Sequence, residues 1–240
     1  MRRLLNIAAV AALALGAAGV GFTVGGVGAD IRNPPTTWDG LVLVNEKAMD
    51  AIYLLPHADF GVYSKVMLNP AEVAFAKDWL KDYNRSTATL ESRLSDQEGR
   101  EMLDRGAARA SEIFAKAFRK AGYELVDAPG PDVIEMTPMI VNVRITAPVS
   151  MQARVTTFSK YAGEATLAIQ AKDSLTHQVL GLAIDHQLAG NYGEIPMMRS
   201  DASNFADFEY VVEGWAKSSA AGFGKLKAMS PIDTDGRRRG

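Results

Sequence analysis

Two stretches of helical period, set around segments of strict alternation, decide what this chain of 240 residues folds into. The first opens at Ser95-Asp96-Gln97-Glu98. That string is a capping box: the serine hydroxyl accepts from the Glu98 N–H, and the Glu98 carboxylate reaches back to the serine N–H. Beyond it Met102, Ala110, Ile113, Phe114, Ala117, Phe118 and Ala121 recur at helical spacing, with Arg105, Arg109, Glu112, Lys116 and Arg119 elsewhere on the cylinder. Gly122 supplies the stop. A last amphipathic helix carries Phe205, Phe208, Val212, Trp215, Phe223 and Leu226 on one stripe. Between the two, Glu164–Gln170 and Gln178–His186 alternate apolar and polar around the turn chemistry of 172–177, which predicts a hairpin. Further extended segments are expected at Tyr53–Leu55, at Lys65–Leu68 (closed by Asn69-Pro70), at Tyr123–Val126 and at Val133–Ile145, the last interrupted or edged by Pro138. Trp38-Asp39-Gly40 reads as a turn, and Glu72, Val73, Phe75 and Ala76 are compatible with the opening of a short helix. This order predicts an α+β fold: a single domain with a mostly antiparallel sheet and two main helices packed on it.

The first 29 residues stand outside that fold. Arg2 and Arg3 precede a run from Leu4 to Val27 without a charged residue, and Val27-Gly28-Ala29 closes it with small side chains. A basic start, an apolar stretch and small residues at the end form the pattern of a secretory signal. The run is long enough for a retained anchor, but its many glycines disfavour a stable helix, so cleavage after Ala29 is the expectation. The organisation that follows is a signal over 1–29, an extended linker over 30–37, the α+β domain over 38–230 and a polar tail over 231–240. The expected location is periplasmic or secreted, by the general secretory route, with no stable membrane anchor once the signal is removed.

Composition narrows the chemistry further. There is no cysteine, which excludes disulfides, thiolate metal sites and the lipidation that bacterial lipoproteins need. The 26 basic residues against 28 acidic ones leave a formal charge of −2, and loss of Arg2 and Arg3 makes the chain more acidic still. Nucleic acid is therefore not an expected partner. The three histidines, His57, His177 and His186, lack ligand spacing, so no metal site is predicted. No serine sits in a nucleophile elbow. Gly222-Phe223-Gly224-Lys225 fails as a phosphate loop, because Ser219 and Leu226 stand where a glycine and a Ser or Thr are required. No catalytic residue and no cofactor is assigned. Glu72 with Asp78, or Asp82 with Glu91, are the carboxylates from which a hydrolytic pair would have to be drawn.

Aromatic residues crowd the block from Trp38 to Arg93, interleaved with Lys77, Asp78, Lys81, Asp82 and Asn84. Aromatics with polar handles beside charges build recognition surfaces, and they equally hold a loop-rich segment onto a core. As a recognition surface, the residues to expect are Trp38, Phe60, Tyr63, Trp79, Tyr83 and Arg85.

Several strings in the chain resemble a known family. They are Trp38-Asp39-Gly40-Leu41, then Leu54 to Phe60 with Tyr63, Lys65 to Val73, Trp79, and Asp82-Tyr83-Asn84-Arg85. Tyr123 to Val133 and the hairpin strand Gly163 to Leu167 with Asp173-Ser174 agree as well. Together they resemble a bacterial envelope family catalogued as a domain of unknown function (number thirty-three thirteen), mostly secreted and lipoprotein-like proteins of Gram-negative bacteria. The resemblance implies an envelope location and carries no activity, cofactor or catalytic residue. The missing lipidation cysteine favours a soluble form over an anchored one. Three functional readings stay open at this point. The first is a non-catalytic module that binds an envelope protein or peptidoglycan component; the second is a carboxylate-dependent hydrolase of a cell-wall or surface substrate. The third is a small-ligand carrier with an apolar cavity between sheet and helices.

Overall fold

The Ser95 capping box forms as its sequence dictates, with Glu98 Oε2 accepting from the Ser95 N–H at 2.8 Å. It opens the second of three helices in a computed structural model that describes residues 36–44, 48–87, 90, 93–146, 157–190, 193 and 195–233. The helices are α1 Trp79–Ser86, α2 Asp96–Lys120 and α3 Asp201–Met229. The strands are β1 Thr37–Trp38, β2 Leu41–Val44, β3 Ala51–Leu54, β4 Lys65–Leu68, β5 Glu72–Phe75 and β6 Glu124–Leu125. They continue with β7 Val133–Ile145, β8 Thr157–Ser159, β9 Gly163–Asp173, β10 Val179–Ala189 and β11 Met197–Arg199. The signal segment, most of the 30–37 linker and residues 234–240 lie outside the described residues.

Nine strands form one sheet in the order β1-β2-β3-β10-β9-β7-β4-β6, with β5 also paired to β7. The chain is α+β and its sheet is mostly antiparallel, as the sequence predicts. Three pairs are parallel: β4 with β6, β4 with β7, and β5 with β7. Asn69-Pro70 separates β4, which lies between β6 and β7, from β5, and the two follow each other along β7 from Val133 to Val143. This corrects the expected short helix at Glu72. Pairing of Val73 opposite Ile140 holds the backbone extended, and helix α1 begins only at Trp79, after Asp78 turns with φ 59°. The β1–β2 turn takes positive φ at both central residues, Asp39 at 49° and Gly40 at 81°, the twist that tight hairpins favour. In β10 a bulge between Val179 and Gly181 puts Leu180 on one face of the sheet and Leu182 and Ile184 on the other.

Both long helices lie on one face of this sheet. Phe114 and Phe118 of α2, with Trp215 and Phe223 of α3, bury their side chains against Ile134, Ile140, Leu167 and Leu180. Arg105 pairs with Asp201 and Arg109 with Glu209, so α2 and α3 run in the same direction. A smaller cluster with Tyr53, Met139, Ala168 and Leu182 occupies the opposite face. The core reaches past residue 230, where a polar tail was expected. Ile232 is buried, its carbonyl accepts from the His57 N–H, and its own N–H donates to the Ala58 carbonyl, both at 2.9 Å.

Candidate functional site: an apolar groove between the two long helices and the sheet edge

The N-terminal halves of α2 and α3, with the sheet beneath them, line a groove of about 110 Å³. Its floor is sheet: Ile140, Val143 and Ile145 of β7 beside Val73 and Phe75 of β5. Met102, Gly106, Ala110 and Ile113 line it from α2, and Phe208 and Val212 from α3. Small residues of α2, Gly106 and Ala110, leave room in its wall. Gly106 is half-buried, and a Cβ placed there would meet Val73 Cγ1 only at 3.9 Å. Behind the groove, Phe75 packs on Trp79 with ring centroids 4.4 Å apart, and Trp79 stacks on Tyr83 at 5.8 Å. Helix α1 therefore braces the β5 wall from outside.

Charge surrounds the mouth. Arg105 Nη2 lies 3.7 Å from Asp201 Oδ2, while Arg109 donates to Glu209 and, at 2.8 Å, to Glu112. Those carboxylates push the Arg109 pKa higher still through hydrogen bonds. Phe205 sits one turn from both Asp201 and Glu209 on α3 and is 38 % exposed. The arrangement is an apolar trough, a half-exposed aromatic at its lip, and ion pairs joining the two helices around it. A ligand group entering here loses water over hydrocarbon while its polar parts meet a rim of mixed sign.

The six residues expected to form a recognition surface separate into different places. Phe60 and Tyr63 are buried in the main core under the helices. The Tyr63 hydroxyl donates to Asp173 Oδ2 at 2.8 Å; burial and that acceptor push the phenol pKa well up. Trp38 is half-buried against Tyr53 on the opposite face of the sheet, at 5.8 Å and 64°. Trp79 and Tyr83 stack together, with Trp79 buried, and Arg85 is exposed beside Asp82. They do not share one face. Only Trp79 and Tyr83 bear on the groove, as support behind Phe75. The block's aromatics act mainly as packing, the second of the two roles its composition allows.

Glu72, Asp78 and Asp82 are exposed and none lines the groove; Glu91 lies outside the described residues. His57 occupies a turn with φ 66°, His177 faces Glu135 at 3.4 Å, and His186 faces Glu164 at 3.4 Å. No cluster of three metal-ligating side chains occurs among the described residues. The segment Gly222–Lys225 is interior to α3, with Phe223 buried and Lys225 exposed, as its rejection as a phosphate loop implies. Gly106 is the groove residue with a signal in the sequence: a glycine in mid-helix costs about 1 kcal/mol relative to alanine, and so marks a place where a side chain is disadvantageous or unneeded.

The family described as Protein of unknown function (DUF3313) matches residues 40–219, and the chain belongs to it. No curated protein matches the chain. Among solved structures, the PelC dodecamer from Paraburkholderia phytofirmans is similar at 7 % identity and a TM-score of 0.31, over 68 % of this chain and 96 % of that one. A protein from Xanthomonas campestris of the DUF330 family is similar at 10 % identity and a TM-score of 0.36, over 73 % of this chain and 91 % of its own. No helix among the described residues is long and apolar enough to cross a membrane.

Proposed function

We propose that this member of the DUF3313 family is an exported, non-catalytic accessory protein of the cell envelope. It holds a partner protein by an apolar side chain seated in the groove between α2, α3 and β7. The groove carries this reading: an apolar floor inside a charged rim is the anatomy of a protein-binding pocket, with one anchor side chain supplying most of the affinity. Its size favours a side chain over a carried lipid. At about 110 Å³ it is somewhat smaller than the ~150 Å³ cavities that hold benzene, too small for an acyl chain of ordinary length. The hydrolase reading has no comparable support, since Glu72, Asp78 and Asp82 stand on open surface. The envelope location rests on the residue pattern from Arg2 to Ala29.

A photo-crosslinking residue in place of Phe205, at the groove mouth, tests the reading in the native cell. The expected result is one reproducible protein adduct in the envelope fraction that disappears when Gly106→Leu fills the groove. An adduct that persists in the Gly106→Leu protein overturns the groove as the site. A protein found in the cytoplasm overturns the compartment.

A further inference from the structure

A second cavity lies on the other flank of α3. It is a cleft of about 730 Å³ between that helix and the end of β10, and it shares no lining residue with the apolar groove. Tyr210, Gly214 and Ser218, on successive turns of α3, form one wall, and Asp185 to Leu188 of β10 form the other. The Tyr210 ring is 77 % exposed. A Cβ on Gly214 would meet nothing within 4 Å, so the wall beyond Tyr210 is open to a ligand.

The cleft is lined by a carboxylate that has left water without acquiring a counter-charge among the described residues. Asp185 is only 7 % exposed. Its Oδ2 accepts from Trp215 Nε1 at 2.7 Å and from Gln187 Nε2 at 2.8 Å, and its Oδ1 accepts from the Asp50 N–H at 3.2 Å. All three donors are neutral, and Asp185 takes part in none of the ion pairs among the described residues. The Asp50 carboxylate, which accepts from the His186 N–H at 2.8 Å, adds a second negative charge beside it. Hydrogen bonds of this kind fix the orientation of a carboxylate but leave its charge uncompensated, and a buried charge is costly unless an opposite one pairs with it. Oδ1, with one long hydrogen bond, retains capacity to accept. A bare metal ion would need several such ligands, and no group of three is present among the described residues. The aromatic face of Tyr210 attracts positive charge from the other wall.

We propose that this cleft binds an organic cation, a primary ammonium or guanidinium group, which pairs with Asp185 Oδ1 and rests against the Tyr210 ring. The proposal is independent of the groove, because it uses the opposite flank of α3 and a different chemistry. The cation is borne either by a free small amine or by a basic side chain of a partner protein.

Titration of the full chain with n-butylammonium, followed by the Trp215 indole N–H resonance in NMR, is the direct test, because that proton is bonded to Asp185. The expected result is a saturable shift with n-butylammonium and none with n-butanol, which has the same alkyl chain without the charge. Asp185→Asn should weaken binding at least tenfold, Tyr210→Ala several-fold, and Gly214→Leu, which fills the cleft, should abolish it. A parallel titration with a Gly-Lys-Gly peptide separates the sources. Tighter binding of the peptide assigns a partner's side chain, and tighter binding of n-butylammonium assigns a free amine. Should Asp185→Asn fail to fold, the exposed positions 210 and 214 decide the matter. An equal response to amine and alcohol, or binding unchanged in Gly214→Leu, overturns the proposal.

Discussion

Replacing Gly106 by alanine should make the protein more stable and a worse binder at once. Gly106 lies inside α2, half-buried over the groove, and an added Cβ would meet Val73 Cγ1 at 3.9 Å and Cγ2 at 4.0 Å. Those are ordinary contacts, so nothing has to move. Removing a glycine from a helix interior contributes about 1 kcal/mol. Covering the new methyl contributes at most ~0.8 kcal/mol, and roughly half of that at a half-exposed position. The sum is about 1.4 kcal/mol, which in a domain of this size corresponds to a rise in Tm of roughly 3–6 °C. Thermal and urea unfolding followed by circular dichroism measure it. The same methyl takes space from the trough between α2 and Val73, so the Phe205 crosslink should weaken in the stabilised variant. A lower or unchanged Tm would refute the packing argument, because it would mean that the β5 wall approaches α2 more closely than 3.9 Å. A higher Tm with an undiminished crosslink would leave the packing intact and remove the groove from the binding reaction.

Other perturbations test the frame around the groove. Trp79→Ala, which removes the brace behind Phe75, should cost about 3–5 kcal/mol in urea unfolding, the range for losing a large buried aromatic. Arg199→Met takes the cation away from the buried Asp207 and unties β11 from α3; the expected cost is ~3–5 kcal/mol, with the urea midpoint as readout. The pH dependence of stability should report Asp173. Burial pushes its pKa up, but hydrogen bonds from the Thr176 N–H, the Tyr63 and Thr176 hydroxyls and the Leu175 N–H outweigh this, and the folded value lies below the ordinary one. A depressed folded pKa gives stability that is present above the unfolded value and lost as pH falls through the folded one. The urea midpoint should therefore fall on acidification below about pH 4, and Tyr63→Phe, at a cost of about 1 kcal/mol near neutral pH, should make that fall smaller.

The elements legible in the sequence were those whose causes are local. The bounds of β7 at Val133–Ile145 and of β4 at Lys65–Leu68 coincide with the expected ones, because proline and turn residues flank them. Helix α2 begins where its capping box begins. Strand β5 was not legible, since four residues carry no period of their own and Glu72–Phe75 is extended only because β7 lies beside it. An apolar cavity between sheet and helices was among the readings the sequence left open, but the residues that line the groove escaped detection for the same reason. Arg109 meets Glu209 across 100 positions, and Phe75 and Phe208 come to one trough from strand and helix with no shared motif. The aromatic block misled in the opposite direction, because its rings are real but Phe60, Tyr63 and Trp79 face inward. Residue type announced contact without saying whether the contact was with solvent partners or with the core.

The tie between Ile232 and the His57–Ala58 backbone bears on how the chain matures. A polypeptide leaves the ribosome N-terminus first, and domains acquire native structure only as their parts emerge. Here the hairpin β9–β10 is local and can form early, whereas Trp215, Phe223 and Ile232 must arrive before the helix-facing core is complete. Until then the growing chain leaves uncovered the part of the sheet face on which α3 packs, with only α2 in place over it. Under the proposed export, in which the chain crosses the membrane as an extended thread, that delay is an advantage: the residues that would lock it shut are made after the sheet and α2.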